Sequence, residues 1–140
     1  MSGPARGGLH PSEAQCPLAF DFGLKRVGVA TGSRLTGQAR ALTTLRESGK
    51  AVFPAIERLL AEWQPDALVV GVPRHPDGQP HAMTAAAQKF AASLRGRFHK
   101  PVYEVDERYT SVEAAAQGAR DLDAAAAALI LEQFFRESSS

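Results

Sequence analysis

Hydrophobic positions along the chain follow two periods, and the switches between them predict most of the fold. Leu18-Ala19-Phe20-Asp21-Phe22 is apolar except for one carboxylate and stops at Gly23, the pattern of a strand buried on both faces. Over residues 26–31, Val27, Val29 and Thr31 alternate with Arg26, Gly28 and Ala30, the period of a half-buried strand. Only Gly23, Leu24 and Lys25 separate the two runs, so they read as a hairpin. A loop over 32–37 leads to a third strand over 39–45.

The period then lengthens. Between 48 and 63, Val52, Ile56, Leu59, Leu60 and Trp63 recur at helical spacing, with Pro54 suited to a first turn. Gln64-Pro65-Asp66 breaks that helix. Residues 67–72 form a continuous apolar run, a fully buried strand closed by Pro73 and a loop over 74–80. A helix over 83–98 carries Ala86, Phe90, Leu94 and Phe98 on one side, and 101–106 is a further strand. Thr110 with Glu113 makes a capping-box pattern for a short helix, and 122–136 is a final helix of Ala, Leu, Ile and Phe. Crossovers of this kind make the later strands parallel, while the opening pair is antiparallel. The expectation is an α/β three-layer domain with a mixed sheet, and ligands in such sheets collect at the carboxyl ends of the strands.

Length and composition narrow the class. At 140 residues the chain fits one domain, which buries roughly 70% of its unfolded surface and needs no staples. Residues 1–17 are polar and rich in Gly, Pro and Ser, without the apolar core of a secretory signal; they read as a flexible tail before a domain over 18–137, with 138–140 as a frayed end. Lys and Arg total 16 against 15 Asp and Glu, a formal charge of +1. No global field announces a polyanion, so a nucleic-acid partner has to be met by a local patch. The single cysteine, Cys16, excludes an intramolecular disulfide framework and a multi-cysteine zinc site. No apolar run approaches the ~20 residues of a membrane span, and the expected location is cytoplasmic.

Three acidic segments carry the chemistry. Asp21 interrupts an apolar strand, where an unpaired carboxylate costs several kcal/mol, so it should meet a cation or donor hydrogens. By period two it shares a face with Ala19 and Gly23, and Gly28 and Ala30 lie across the hairpin, leaving space for an ion or a phosphate. Asp106-Glu107-Arg108 ends the last strand. Asp123 shares a stripe with Ala127, Ile130 and Phe134, which turns it toward the sheet. Each has a structural alternative: a turn hydrogen bond for Asp21, a solvated charge cluster for Asp106–Arg108, and a macrodipole contact for Asp123. Their convergence at the strand ends favours chemistry. Carboxylates crowded together hold protons unless a divalent cation offsets them, and an oxygen-only set suits Mg²⁺ or Mn²⁺. Two such ions sharing one Asp serve phosphodiester hydrolysis.

The motifs together resemble a known family. Ala19-Phe20-Asp21-Phe22-Gly23-x-Lys25-Arg26-x-Gly28-Val29-Ala30, Leu68-Val69-Val70-Gly71-Val72-Pro73 with Asp77-Gly78, Val105-Asp106-Glu107-Arg108-x-Thr110-Ser111, and Asp123-Ala124-Ala125-Ala126 are similar, in order, to the YqgF (RuvX) family. Its members are RNase H-like and are described as Holliday junction resolvases or as nucleases maturing the 5′ end of small-subunit ribosomal RNA. The resemblance spans about Leu18 to Phe135. It implies a five-stranded sheet in the order 3-2-1-4-5 with helices on both sides, and Asp21, the Asp106/Glu107 pair and Asp123 as metal-binding acids. Resolvases of this fold often carry a Glu at the end of the fourth strand, where Gly71 and Val72 stand here. The second acid then falls to Glu107, with Asp106 as the alternate.

Around those acids, Lys25 and Arg26 at the hairpin turn and Arg108 beside the acids are candidate phosphate contacts, and Arg74 lies in a loop suited to a substrate flap. His75, in the same loop, is a weak general-base candidate; His10, His81 and His99 show no ligand spacing. Three functions compete. The first is a metal-dependent nuclease acting on structured nucleic acid, foremost precursor ribosomal RNA. The second is a junction resolvase on branched DNA, which needs paired sites in a symmetric dimer, whereas the sequence expectation is a monomer or weak homodimer. The third is a binding module with vestigial catalysis.

Overall fold

The computed structural model describes residues 10–75, 77–107 and 122–138. Five strands, β1 (Leu18–Phe22), β2 (Val27–Ser33), β3 (Gln38–Leu45), β4 (Leu68–Val72) and β5 (Val102–Asp106), alternate with three described helices, α1 (Val52–Trp63), α2 (Thr84–Phe98) and α3 (Leu122–Ser138). The strands form one sheet in the order β3-β2-β1-β4-β5. β1 pairs antiparallel with β2 and parallel with β4, and β4 pairs parallel with β5. The mixed three-layer α/β architecture and its strand order are those expected. Arg108, Thr110, Ser111, Glu113 and Asp121 lie outside the described residues.

The period-two alternation of the central strands sends side chains into two separate cores. On one face Leu18, Phe20, Val27, Val29, Leu68 and Val70 pack under α1 and α2, where Phe90 stacks on Phe22 at 4.7 Å between centroids and meets Phe20 edge-on. On the other face Ala19, Val69 and Val105 pack against Ile130, Leu131, Phe134 and Phe135 of α3. The residues facing α3 are small, and that permits a helix to lie close to the sheet directly beside Asp21.

Several boundaries differ from expectation. β2 runs on to Ser33, because its partner β3 begins at Gln38 and continues the ladder with Gly32 opposite Ala39 and Ser33 opposite Gln38. Pro54 sits in the first turn of α1, preceded by a 3₁₀ turn over Gly49–Ala51. The stretch expected as a flexible tail is docked where it is described. Ala14 and Pro17 are buried, Asp66 accepts from the backbone N–H groups of Gln15 (2.6 Å) and Cys16 (3.0 Å), and Arg34 donates to the carbonyls of Ala14 and Pro11. Ser138, expected in a frayed end, closes α3: its hydroxyl donates to the Phe134 carbonyl and accepts from Arg34. Despite their polar composition, residues 10–17 are held by backbone hydrogen bonds to the side chains of Asp66 and Arg34, and Ser138 by its hydroxyl.

Candidate active site

β1, β4 and β5 are parallel, so their carboxyl ends share one edge of the sheet, and the acids gather there. Alternation decides which of them face one another. Ala19 and Asp21 on β1, Val69 and Gly71 on β4, and Tyr103 and Val105 on β5 have the same parity, and their core members pack against α3, while Glu107 follows directly after β5. Asp106 has the opposite parity. Glu107 is therefore the acid brought to Asp21, while Asp106 contributes its backbone carbonyl, which accepts from Gln133 Nε2 at 2.9 Å.

Two glycines make room for this meeting. A Cβ on Gly71 would lie 2.9 Å from both Cγ and Cδ of Glu107 and 2.4 Å from Cδ1 of Ile130. The Glu107 side chain thus lies over the end of β4, in the space a side chain on that strand would take. Gly28 stands opposite Asp21 in the β1–β2 register, and a Cβ there would lie 1.9 Å from the backbone oxygen of Asp123. Only a residue without a side chain lets the first turn of α3 settle on the hairpin, and this close approach carries Asp123 to Asp21.

The acids perturb one another. Burial, and secondarily the Asp123 carboxylate, push Asp21 from 3.8 up to about 6. Burial, then Asp21, then Asp106 push Glu107 from 4.5 up to about 8. Among the described residues neither Asp21 nor Glu107 takes a hydrogen bond or salt bridge. Asp123 does: Nε of Arg26 donates to its Oδ2 at 2.8 Å. Two oxygen donors, Asp21 and Glu107, that burial and neighbouring acids hold toward the protonated form suit a hard divalent cation. Among the described residues no three His, Cys, Asp or Glu side chains already form a metal cage.

The basic candidates separate. Lys25 is exposed at the hairpin turn, and Arg26, expected to face a phosphate, is turned onto Asp123. Arg74 is half-buried at the base of an arm after β4, bridged in antiparallel fashion to Pro80, with a turn in which Gly78 N–H donates to the His75 carbonyl. Thr84, buried, ties the arm to α2 by donating to the Pro73 carbonyl and accepting from His81 N–H at 2.7 Å. His75 is exposed, with its ring centroid 5.1 Å from that of His81. Thr84 and Gln133 were not singled out from sequence. A single amide among the Ala, Leu, Ile and Phe of the last helix was the available signal for Gln133.

A hairpin feeding a parallel βαβ sheet, an acid on the central strand and a facing helix that brings another make an RNase H-like fold. In fold the chain is similar to T. thermophilus RuvC in complex with Holliday junction substrate, with a TM-score of 0.57 and 16% identity over 88% of this chain and 95% of that one. The RuvX family, described as Holliday junction resolvase, matches residues 15–137. A protein of Polaromonas sp. (strain JS666) named "Putative pre-16S rRNA nuclease" is 59% identical over 119 residues, 85% of this chain and 86% of the relative. One of the same name from Albidiferax ferrireducens is 54% identical over 134 residues, covering 95% and 86%. The chain belongs to the RuvX family.

Proposed function

We propose that this chain is a divalent-metal-dependent nuclease that hydrolyses phosphodiester bonds in structured RNA, with the 5′ end of precursor 16S ribosomal RNA as its substrate. The observation that supports the reading is that Asp21 on β1 lies near both Glu107, at the end of β5, and Asp123 on α3. There Asp21 is held near 6 and Glu107 near 8 by burial and mutual repulsion. Asp21, the central acid, is electrostatically coupled to both others and is the group to be shared by two ions; Glu107 and Asp123 complete the ligand set. Mg²⁺ or Mn²⁺ would supply a polarised attacking water and charge neutralisation at the phosphate. Asp106 holds its strand end through Gln133 rather than ligating. Lys25 and Arg74 contact substrate phosphates, and Arg108, outside the described residues, is a further candidate for that role. On this reading the protein acts in the cytoplasm as a monomer or weak homodimer. No described helix is long and apolar enough to cross a membrane.

Branched DNA is the second reading, favoured by the likeness to RuvC with its Holliday junction substrate. End-labelled precursor rRNA and four-way junction DNA, incubated side by side with and without Mn²⁺, separate the two. Asp21→Asn should lose cleavage of the preferred substrate by more than a hundredfold with an unchanged circular dichroism spectrum. Full cleavage by that variant removes the proposed site, and binding of RNA without cleavage by the wild type turns the reading to a binding module.

A further inference from the structure

Arg26 and Asp123 are 97 residues apart in sequence and in direct contact, Nε to Oδ2 at 2.8 Å. Arg26 is the last residue before β2, and two residues on is Gly28, which carries the backbone of Asp123. Asp123 has a cationic partner, whereas Asp21 and Glu107 take none among the described residues. The pair is open to water, with side-chain exposures of 52% for Arg26 and 30% for Asp123. A solvent-exposed pair of this kind is weak and exchanges readily.

Resting on the metal-dependent reading above, we propose that Arg26 is an internal counter-cation on Asp123. It exchanges with the incoming divalent ion, so that metal loading releases its guanidinium to a substrate phosphate. A dication on Asp123 repels a guanidinium held against the same carboxylate, so both do not share it. The planar fork that fits a carboxylate fits a phosphate equally well. Because Arg26 sits at the hairpin turn beside the acids, side-chain rotation alone carries it from one anion to the other. Arg26 thus couples metal occupancy to substrate affinity. Lys25, next to it and without a hydrogen bond or salt bridge among the described residues, has the same charge but no hold on Asp123.

The test is calorimetric titration of the full chain with Mn²⁺ alone, no nucleic acid present, on wild type, Arg26→Gln, Lys25→Gln and Asp21→Asn. Arg26→Gln should bind Mn²⁺ roughly threefold to fivefold more tightly than wild type, the scale of a weak surface pair, and Lys25→Gln, which removes the same charge, less than about twofold. In a parallel titration with Mg²⁺, the Nε–Hε resonance of Arg26, assigned by its absence from Arg26→Gln, should move toward its position in Asp123→Asn. If Asp21→Asn abolishes metal uptake while the two glutamine variants bind alike and the Arg26 resonance stays in place, the exchange is wrong and the metal site stands. If the wild type takes up no metal, both fall.

Discussion

The Glu107 side chain lies across Gly71, its Cγ and Cδ both 2.9 Å from where a Cβ on that glycine would be. The strand end that lacks an acid of its own therefore provides the space for an acid from the neighbouring strand. Gly71→Ala should expel Glu107 and press on Ile130, lowering stability by ~1–3 kcal/mol, as overpacking does. Mn²⁺ affinity should drop at least tenfold. Thermal melts with Mn²⁺ titration check this; unchanged metal affinity in a folded Gly71→Ala protein would show that the Glu107 position is unimportant.

Gly28 should be still less replaceable, because the obstacle there is the backbone of α3, which cannot rotate away. Gly28→Ala is expected at or above the upper end of the same ~1–3 kcal/mol range, with loss of metal uptake as α3 is lifted from the hairpin. Chemical denaturation measures the first effect and calorimetry the second. A near-neutral variant would contradict the close approach of Asp123 to β2.

Raised carboxyl pKa values set the pH dependence of the metal-free protein. Asp21 (about 6) and Glu107 (about 8) keep their protons in the folded state at pH values where the unfolded chain has released them. The folded state binds more protons between about pH 4 and pH 8, so its stability falls as pH rises through that window. Asp21→Asn removes its share, about 3 kcal/mol. The variant should be more stable than the metal-free wild type at pH 8 and close to it at pH 4. Mn²⁺ should stabilise the wild type more at pH 8 than at pH 5.5, because ligation needs the deprotonated acids. Urea unfolding across pH, with and without Mn²⁺, tests both statements.

At the opposite edge of the sheet, Arg34 ties the segment over 11–14 to the last turn of α3. It bonds the carbonyls of Pro11 and Ala14 and the Ser138 hydroxyl, and its guanidinium lies 5.6 Å and 5.1 Å from the ring centroids of Phe134 and Phe135. Arg34→Ala should lower stability by about 2 kcal/mol, within the range for loss of a part-buried charged hydrogen-bonding group. Amide exchange should quicken over residues 10–17, with the Mn²⁺ affinity of the acids at the other edge retained. Protection left intact over 10–17 would show that Asp66 alone fastens that segment.

By itself the sequence determined an antiparallel opening pair followed by parallel strands, and a sheet buried on both faces; the order 3-2-1-4-5 came from the resemblance of its motifs to the RuvX family. The first two follow from side-chain period and a hairpin too short for a crossover, and Asp21 stood out as a carboxylate set in an apolar strand, all readable over a few neighbouring residues. Only the tertiary structure shows Glu107 lying over Gly71 and beside Asp21, because that placement rests on empty volume over a residue of another strand. The Arg26–Asp123 pair and the docking of residues 10–17 were equally out of reach. Each joins groups 50 to 97 residues apart through hydrogen bonds that leave no local period. Nearby spacing encodes secondary structure and burial, whereas which charge meets which is fixed only when the elements pack.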